Sequence, residues 1–243
     1  MSKKFKGKTC AYCAKATATT DDHVFAREFF LVEDRHYLPK VPACKACNNA
    51  KAEFEHYLTA VLPFGGRHPQ AVANLNSGVP GRLAKNQKLN KTLLGSMEPA
   101  WLREGTGLYQ QTSSVDFDGS KLEGLLKFIG RGLAWHHWKL YLRPDDDVSV
   151  MFIQDMGSAY FQSLIGSWRN AQRVVENLGN GTIQYVGVQA PEPPELTIWT
   201  ISMYGGLVLS DSRRKSDGPI ESCTVWWVIT GPPEVRDTMA RLK

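Results

Sequence analysis

Cys10-Ala-Tyr-Cys13 and Cys44-Lys-Ala-Cys47 are the two stretches on which the reading of this chain turns. Two residues between cysteines let both sulfurs of one tight turn reach a common ion. Two such turns complete a tetrahedral shell of four thiolates, with Zn–S at about 2.3 Å. The pattern predicts one structural Zn²⁺ held by Cys10, Cys13, Cys44 and Cys47. A full thiolate shell leaves no position for water or substrate, so this ion is expected to fold the chain around it rather than to react.

Between the pairs lies Thr20-Asp21-Asp22-His23-Val24, and directly after the last cysteine comes Asn48-Asn49-Ala50-Lys51. Phe54, Tyr57, Leu58, Val61 and Leu62 then follow at helical spacing. The order is therefore knuckle, hairpin entered through Asp-His, knuckle, helix opened by Asn. An ion shared by the knuckles would return Asn48 to the side of the hairpin. A carboxylate, an imidazole and a carboxamide oxygen would then reach one point.

The arrangement CxxC…Asp-His…CxxC-Asn resembles the HNH, or ββα-metal, nuclease superfamily on a treble-clef zinc scaffold. It is most similar to the phage endonuclease VII type, in which an asparagine follows closely on the fourth cysteine. The resemblance covers about residues 8–62. It implies a metal-dependent endonuclease that hydrolyses phosphodiester bonds in DNA, with Asp22 and Asn48 ligating Mg²⁺ or Mn²⁺ and His23 as general base. Hard oxygen ligands suit such an ion, and an imidazole accepts a proton near neutral pH. Many HNH proteins carry an asparagine shortly before the second knuckle, where this chain has Leu38-Pro39-Lys40-Val41-Pro42. Many also end the motif with a metal-binding histidine. His56 is the candidate here, with Glu53 and Glu55 as competitors, of which at most one faces the site. The cysteines alone predict equally well a non-catalytic zinc-binding module for nucleic acid or protein. Asp22, His23 and Asn48 separate the two readings.

The net charge of +5 over 243 residues is compatible with a phosphate-bearing partner. Lys8, Lys15, Lys45, Lys51, Arg82, Lys85 and Lys88 are the expected phosphate contacts, giving salt-dependent affinity for DNA, with RNA not excluded. The basic, polar N-terminus offers no signal peptide, and no apolar run is long enough to span a bilayer. A reducing cytoplasm with no membrane partner is the expected setting, in which paired cysteines bind metal rather than each other. The fifth cysteine, Cys223, reads as a buried small hydrophobe.

The expected fold class is α+β. Residues 1–65 form the zinc-stapled nuclease module, and 66–114 a basic connecting segment whose glycines and prolines break regular structure. Residues 115–243 form a mixed α+β region left to target choice or to building a homo-oligomer. Within it, Leu122, Leu125, Leu126, Ile129 and Leu133 predict a helix over 121–142, weakened by Gly124, Gly130 and Gly132. His136 continues its apolar stripe and reads as packed or hydrogen-bonded. A strand is expected at 148–153, a helix at 159–178 closed by Gly179, and strands at 182–188, 197–210 and 222–229. A short helix follows Pro232-Pro233. Asp145-Asp146-Asp147 reads as a solvated turn and Arg213-Arg214-Lys215 as an exposed basic loop.

Overall fold

The hairpin that carries Asp-His consists of β1 (Thr20–His23) antiparallel to β2 (Lys40–Ala43), with Asp22 opposite Val41 and His23 opposite Lys40. It is seen in a computed structural model that describes residues 4–103, 108–143, 147–152, 162–163, 165–166, 168–207 and 224–232. Two short 3-10 turns, Arg27–Phe29 and Val32–Asp34, fill the connection between the strands. α1 (Lys45–Gly65) follows at once. It begins before Asn48 because Cys44 caps it, its Sγ accepting from the Cys47 N–H at 3.5 Å. Near its end Pro63 has no N–H for the Thr59 carbonyl. Arg82 Nη1 takes that acceptor instead, at 2.7 Å.

Regular structure continues where glycine and proline were expected to break it. α2 (Pro69–Lys85) and α3 (Gln87–Gly95) precede a hairpin of β3 (Glu98–Arg103) and β4 (Tyr109–Ser114). Pro69 occupies the first turn of α2, where a missing N–H costs nothing, and the His68 ring caps that turn. Pro80 and Gly81 fall on its exposed side, and Asn76, whose carbonyl Pro80 leaves without a donor, is exposed as well.

α4 (Gly119–Trp138) buries the predicted stripe Leu122, Leu125, Leu126, Ile129 and Leu133. It stops short of Leu142, because Lys139 turns left-handed at φ 58° and closes the helix. The glycines expected to weaken it are its contact points. A Cβ at Gly124 would stand 2.7 Å from Phe54 of α1, and one at Gly130 2.6 Å from Val228. Small residues let α4 approach two neighbours at once.

Val228 belongs to a five-stranded antiparallel sheet of order β5-β9-β8-β7-β6. Its strands are β5 (Asp147–Phe152), β6 (Gln172–Leu178), β7 (Ile183–Gln189), β8 (Thr197–Leu207) and β9 (Thr224–Gly231). The fold is thus α+β. β6 corrects the expected helix over 159–178: Gln162, Ser163, Ile165 and Gly166 are helical, but 172–178 pair with β7. Gly179, Asn180 and Gly181 all have positive φ and form the hairpin turn between β6 and β7. Gly179 is therefore a turn residue, and the Gly-Asn-Gly triplet was the available signal. The segment after Pro232, Cys223, Arg213–Lys215 and Asp145-Asp146 lie outside the described residues. No described helix is long and apolar enough to cross a membrane.

One core runs through the molecule. Phe5, Tyr12, Val24 and Phe25 pack with Leu58 of α1, with the apolar face of α4, and with Trp199, Met203 and Tyr204 of the sheet. A smaller cluster of Ile165, Val188, Ile198, Trp227 and Ile229 forms apart from it.

At the end of α4, His137 Nε2 meets the Tyr185 hydroxyl at 2.9 Å and packs against Trp199. Burial, helped by His136 and Lys139, lowers its pKa to about 4 from 6.5. In that interval the unfolded chain binds more protons than the folded one, so stability contributed by His137 is lost as pH falls. Thermal melts should show wild type losing more stability than His137→Gln between about pH 7 and about pH 4.5. Equal losses would assign the acid sensitivity to other groups.

Candidate metal centre and basic pocket

The first knuckle turns tightly, Ala14 N–H reaching the Cys10 carbonyl with Ala14 at φ 54°. Ala11 N–H bonds the Pro42 carbonyl of β2, which sets the first knuckle against the hairpin. The second knuckle is the start of α1. Together they bring the sulfurs of Cys10, Cys13, Cys44 and Cys47 within 4.8 Å of one another, an arrangement able to hold a metal ion such as zinc. Four thiolates around one zinc ion would be about 3.8 Å apart. Burial and the neighbouring thiols push Cys47 well up, and burial raises Cys10. At Cys13 burial also raises the pKa, but the backbone N–H groups of Ala16 and Lys15 outweigh it and bring it to about 7. Thiols this close ionise together only around a cation. Elemental analysis is expected to find about one ion per chain, and Cys44→Ser to lose it together with most of its thermal stability. A metal-free wild type of unchanged melting temperature would refute this.

Asp22 faces α1. Its Oδ2 accepts the Tyr12 hydroxyl at 2.6 Å and lies 3.1 Å from Lys51 Nζ. Lys51 also donates to the His23 carbonyl at 2.7 Å and to Glu55 Oε1. The ammonium thus has two hydrogen bonds and an ion pair as partners. Lys51 was expected at the surface among the phosphate contacts, but it is wholly buried, because its charge is consumed by these acceptors. Burial raises Glu55 to about 7, against the opposing pull of Lys51. Asn48 lies one turn before Lys51 in α1 and is partly exposed.

His23 turns the other way, as alternate residues of a strand do. It lines a pocket of about 600 Å³ together with Asp21 and its cross-strand partner Lys40. Lys4, Lys8, Arg35 and Lys139 supply further walls, and His136 closes one side. Burial and the charges of Lys40 and Arg27 lower the His23 pKa to about 4, so its imidazole is neutral at pH 7.

The remaining expected residues divide. Lys8 is in the pocket wall. Lys15, Lys45, Lys85 and Lys88 are exposed, and His56 and Glu53 are exposed on α1. Arg82 is partly exposed and commits two of its guanidinium nitrogens, to the Thr59 and Glu28 carbonyls. Arg35, His136 and Lys139 were not expected at a site. His136 continues an apolar helix stripe, and nothing local sets it apart.

No family model matches the chain, and no curated protein or solved structure shows significant similarity to it.

Removing Lys51 strands two carboxylates. Lys51→Met is expected to cost about 3–5 kcal/mol in chemical denaturation. Adding Glu55→Gln should recover part of it, since one stranded charge disappears. Loss within about 1 kcal/mol would show that the cluster holds little of the fold.

Proposed function

We propose that the chain is a zinc-stapled nuclease of the HNH kind, on a treble-clef scaffold, hydrolysing phosphodiester bonds in DNA with His23 as general base. One observation carries the reading. His23 is a neutral imidazole opening on a pocket walled by five cations, Lys4, Lys8, Arg35, Lys40 and Lys139, against the single carboxylate of Asp21. Even that carboxylate is engaged, accepting the Phe5 N–H at 3.1 Å. Such a pocket attracts phosphate.

The family resemblance also implies Mg²⁺ or Mn²⁺ at Asp22 and Asn48. Asp22 Oδ2 is already taken by the Tyr12 hydroxyl and the Lys51 ammonium, whose positive charge opposes a second cation at that carboxylate, so no step is routed through such an ion. The chain's own part is clearer. Lys51 pins the carbonyl of His23 and fixes the strand that aims the imidazole. Burial first, and then Lys40 and Arg27, keep that imidazole unprotonated. The phosphate offsets their field and lifts the imidazole toward its ordinary value, where it takes a proton from water more effectively.

The Lys51 ammonium against Asp22 favours a second reading, because it already supplies positive charge at that carboxylate. In that reading the chain is a non-catalytic zinc module that binds nucleic acid.

A plasmid-nicking assay with Mg²⁺ or Mn²⁺ separates the two. The nuclease reading expects nicking by wild type and a rate about 10²-fold or more lower for His23→Ala, with oligonucleotide affinity kept. A wild type that cuts neither DNA nor RNA, or a His23→Ala that cuts equally well, would leave the binding module.

A further inference from the structure

The pocket is not made by the cysteine-bearing half alone. Lys4, Lys8, His23 and Lys40 come from the first 65 residues, whereas His136 and Lys139 come from the far end of α4. His136 Nδ1 lies 3.2 Å from the Lys40 carbonyl. A carbonyl only accepts, so Nδ1 carries the proton and Nε2 is left as the free ring nitrogen. This bond ties α4 to the strand opposite His23.

Lys139 is held just as firmly. It adopts φ 58°, a conformation that glycine takes at a helix end without steric cost. Its ammonium bonds the His136 carbonyl at 2.6 Å and sits 4.6 Å from the centre of the Trp135 ring. Trp135 itself stacks edge-on against Phe5, whose ring lies 5.4 Å from both Lys4 Nζ and Lys8 Nζ. Three ammonium groups are thus gathered over two adjoining rings. None of them, nor Lys40 or Arg35, forms a salt bridge with a described carboxylate. The indole N–H of Trp135, buried in the same wall, has no acceptor among the described residues. Like charges brought together without a counter-ion repel, and an anion between them removes the repulsion. The volume of about 600 Å³ lies within the range that accommodates a nucleotide-sized group.

We propose that this pocket binds a backbone phosphate of the nucleic acid and that the end of α4, through Lys139 and His136, is an integral part of it. The identity of the ligand rests on the nuclease reading; the composite construction of the site does not. The C-terminal half then completes the catalytic pocket, rather than serving as a separate recognition region.

The test uses the full chain and a labelled DNA oligonucleotide, with divalent ions omitted so that nothing is cut. Lys139→Gly keeps the left-handed backbone and removes the ammonium, and Arg169→Gln, exposed and outside the pocket, serves as a control. Lys139→Gly is expected to weaken binding about fivefold or more at ~0.1 M salt and to reduce the salt slope by about one, while Arg169→Gln stays within about twofold. Unchanged melting temperature and metal content show that each variant is folded. Lys139→Gly binding like wild type, or Arg169→Gln weakening it equally, overturns the proposal. Nicking that needs His23 but ignores Lys139 leaves the nuclease and removes the composite pocket. Binding that needs Lys139, with no cleavage by wild type, does the reverse.

Discussion

Four sulfurs within 4.8 Å join the turn before β1 to the turn that starts α1. With its first turn anchored there, the face of α1 bearing Lys51 and Glu55 lies along β1, and Asp22 meets an ammonium rather than water. Lys51 is fully buried and its two carboxylate partners are largely so, which makes the cluster tight and its parts inseparable. Two carboxylates and a backbone carbonyl share one cation, and loss of that cation would leave each of them desolvated without return. The same ammonium fixes the carbonyl of His23. The thiols and Lys51 therefore act in series: the first sets where the helix begins, the second sets how the strand beside it is turned.

α4 carries this arrangement into the rest of the molecule. Gly124 admits Phe54 of α1, Gly130 admits Val228 of β9, and His136 holds the backbone of β2. A side chain at either glycine would force the helix off one neighbour. With the helix seated, Phe5, Leu58, Leu133 and Trp199 belong to one core although they come from four separate stretches of sequence. The position of Lys139 relative to His23 follows from that packing, since the helix ends where the hairpin edge lies.

Elements with a strong local signal were legible in the sequence. The CxxC pairs announced their cluster, the leucine stripe announced α4, and alternating β-branched residues announced β7, β8 and β9. Where tertiary partners decide, the sequence misled. Glycines in α4 read as weakness because their neighbours are distant in the chain. Pro80 and Gly81 read as breaks, yet both stand on the exposed side of α2, where the helix runs through them. β6 was mistaken for helix because 172–178 has few apolar residues to set a period, and only its pairing with β7 defines it. Asp22 and His23 were singled out together, yet strand alternation sends one toward α1 and the other into the pocket.

The basic residues show why composition alone could not locate the site. A lysine's contribution to binding depends on whether its charge is still unspent in the folded chain. Lys51 gives its charge to Asp22 and Glu55, and Arg82 commits Nη1 and Nη2 to the Thr59 and Glu28 carbonyls. Both are tied to the fold in a way that an exposed lysine is not. Lys85 and Lys88 are free but stand in water on α2 and α3, where screening weakens them beyond about 8–10 Å. Lys4, Lys8, Lys40 and Lys139 differ in being crowded within one concave surface whose low-dielectric walls focus their field. That crowding is costly without an anion, and it surrounds the one imidazole that Asp-His had marked. Folding therefore sorts equal formal charges into spent, screened and concentrated ones, and the third group meets where the hairpin and the end of α4 come together.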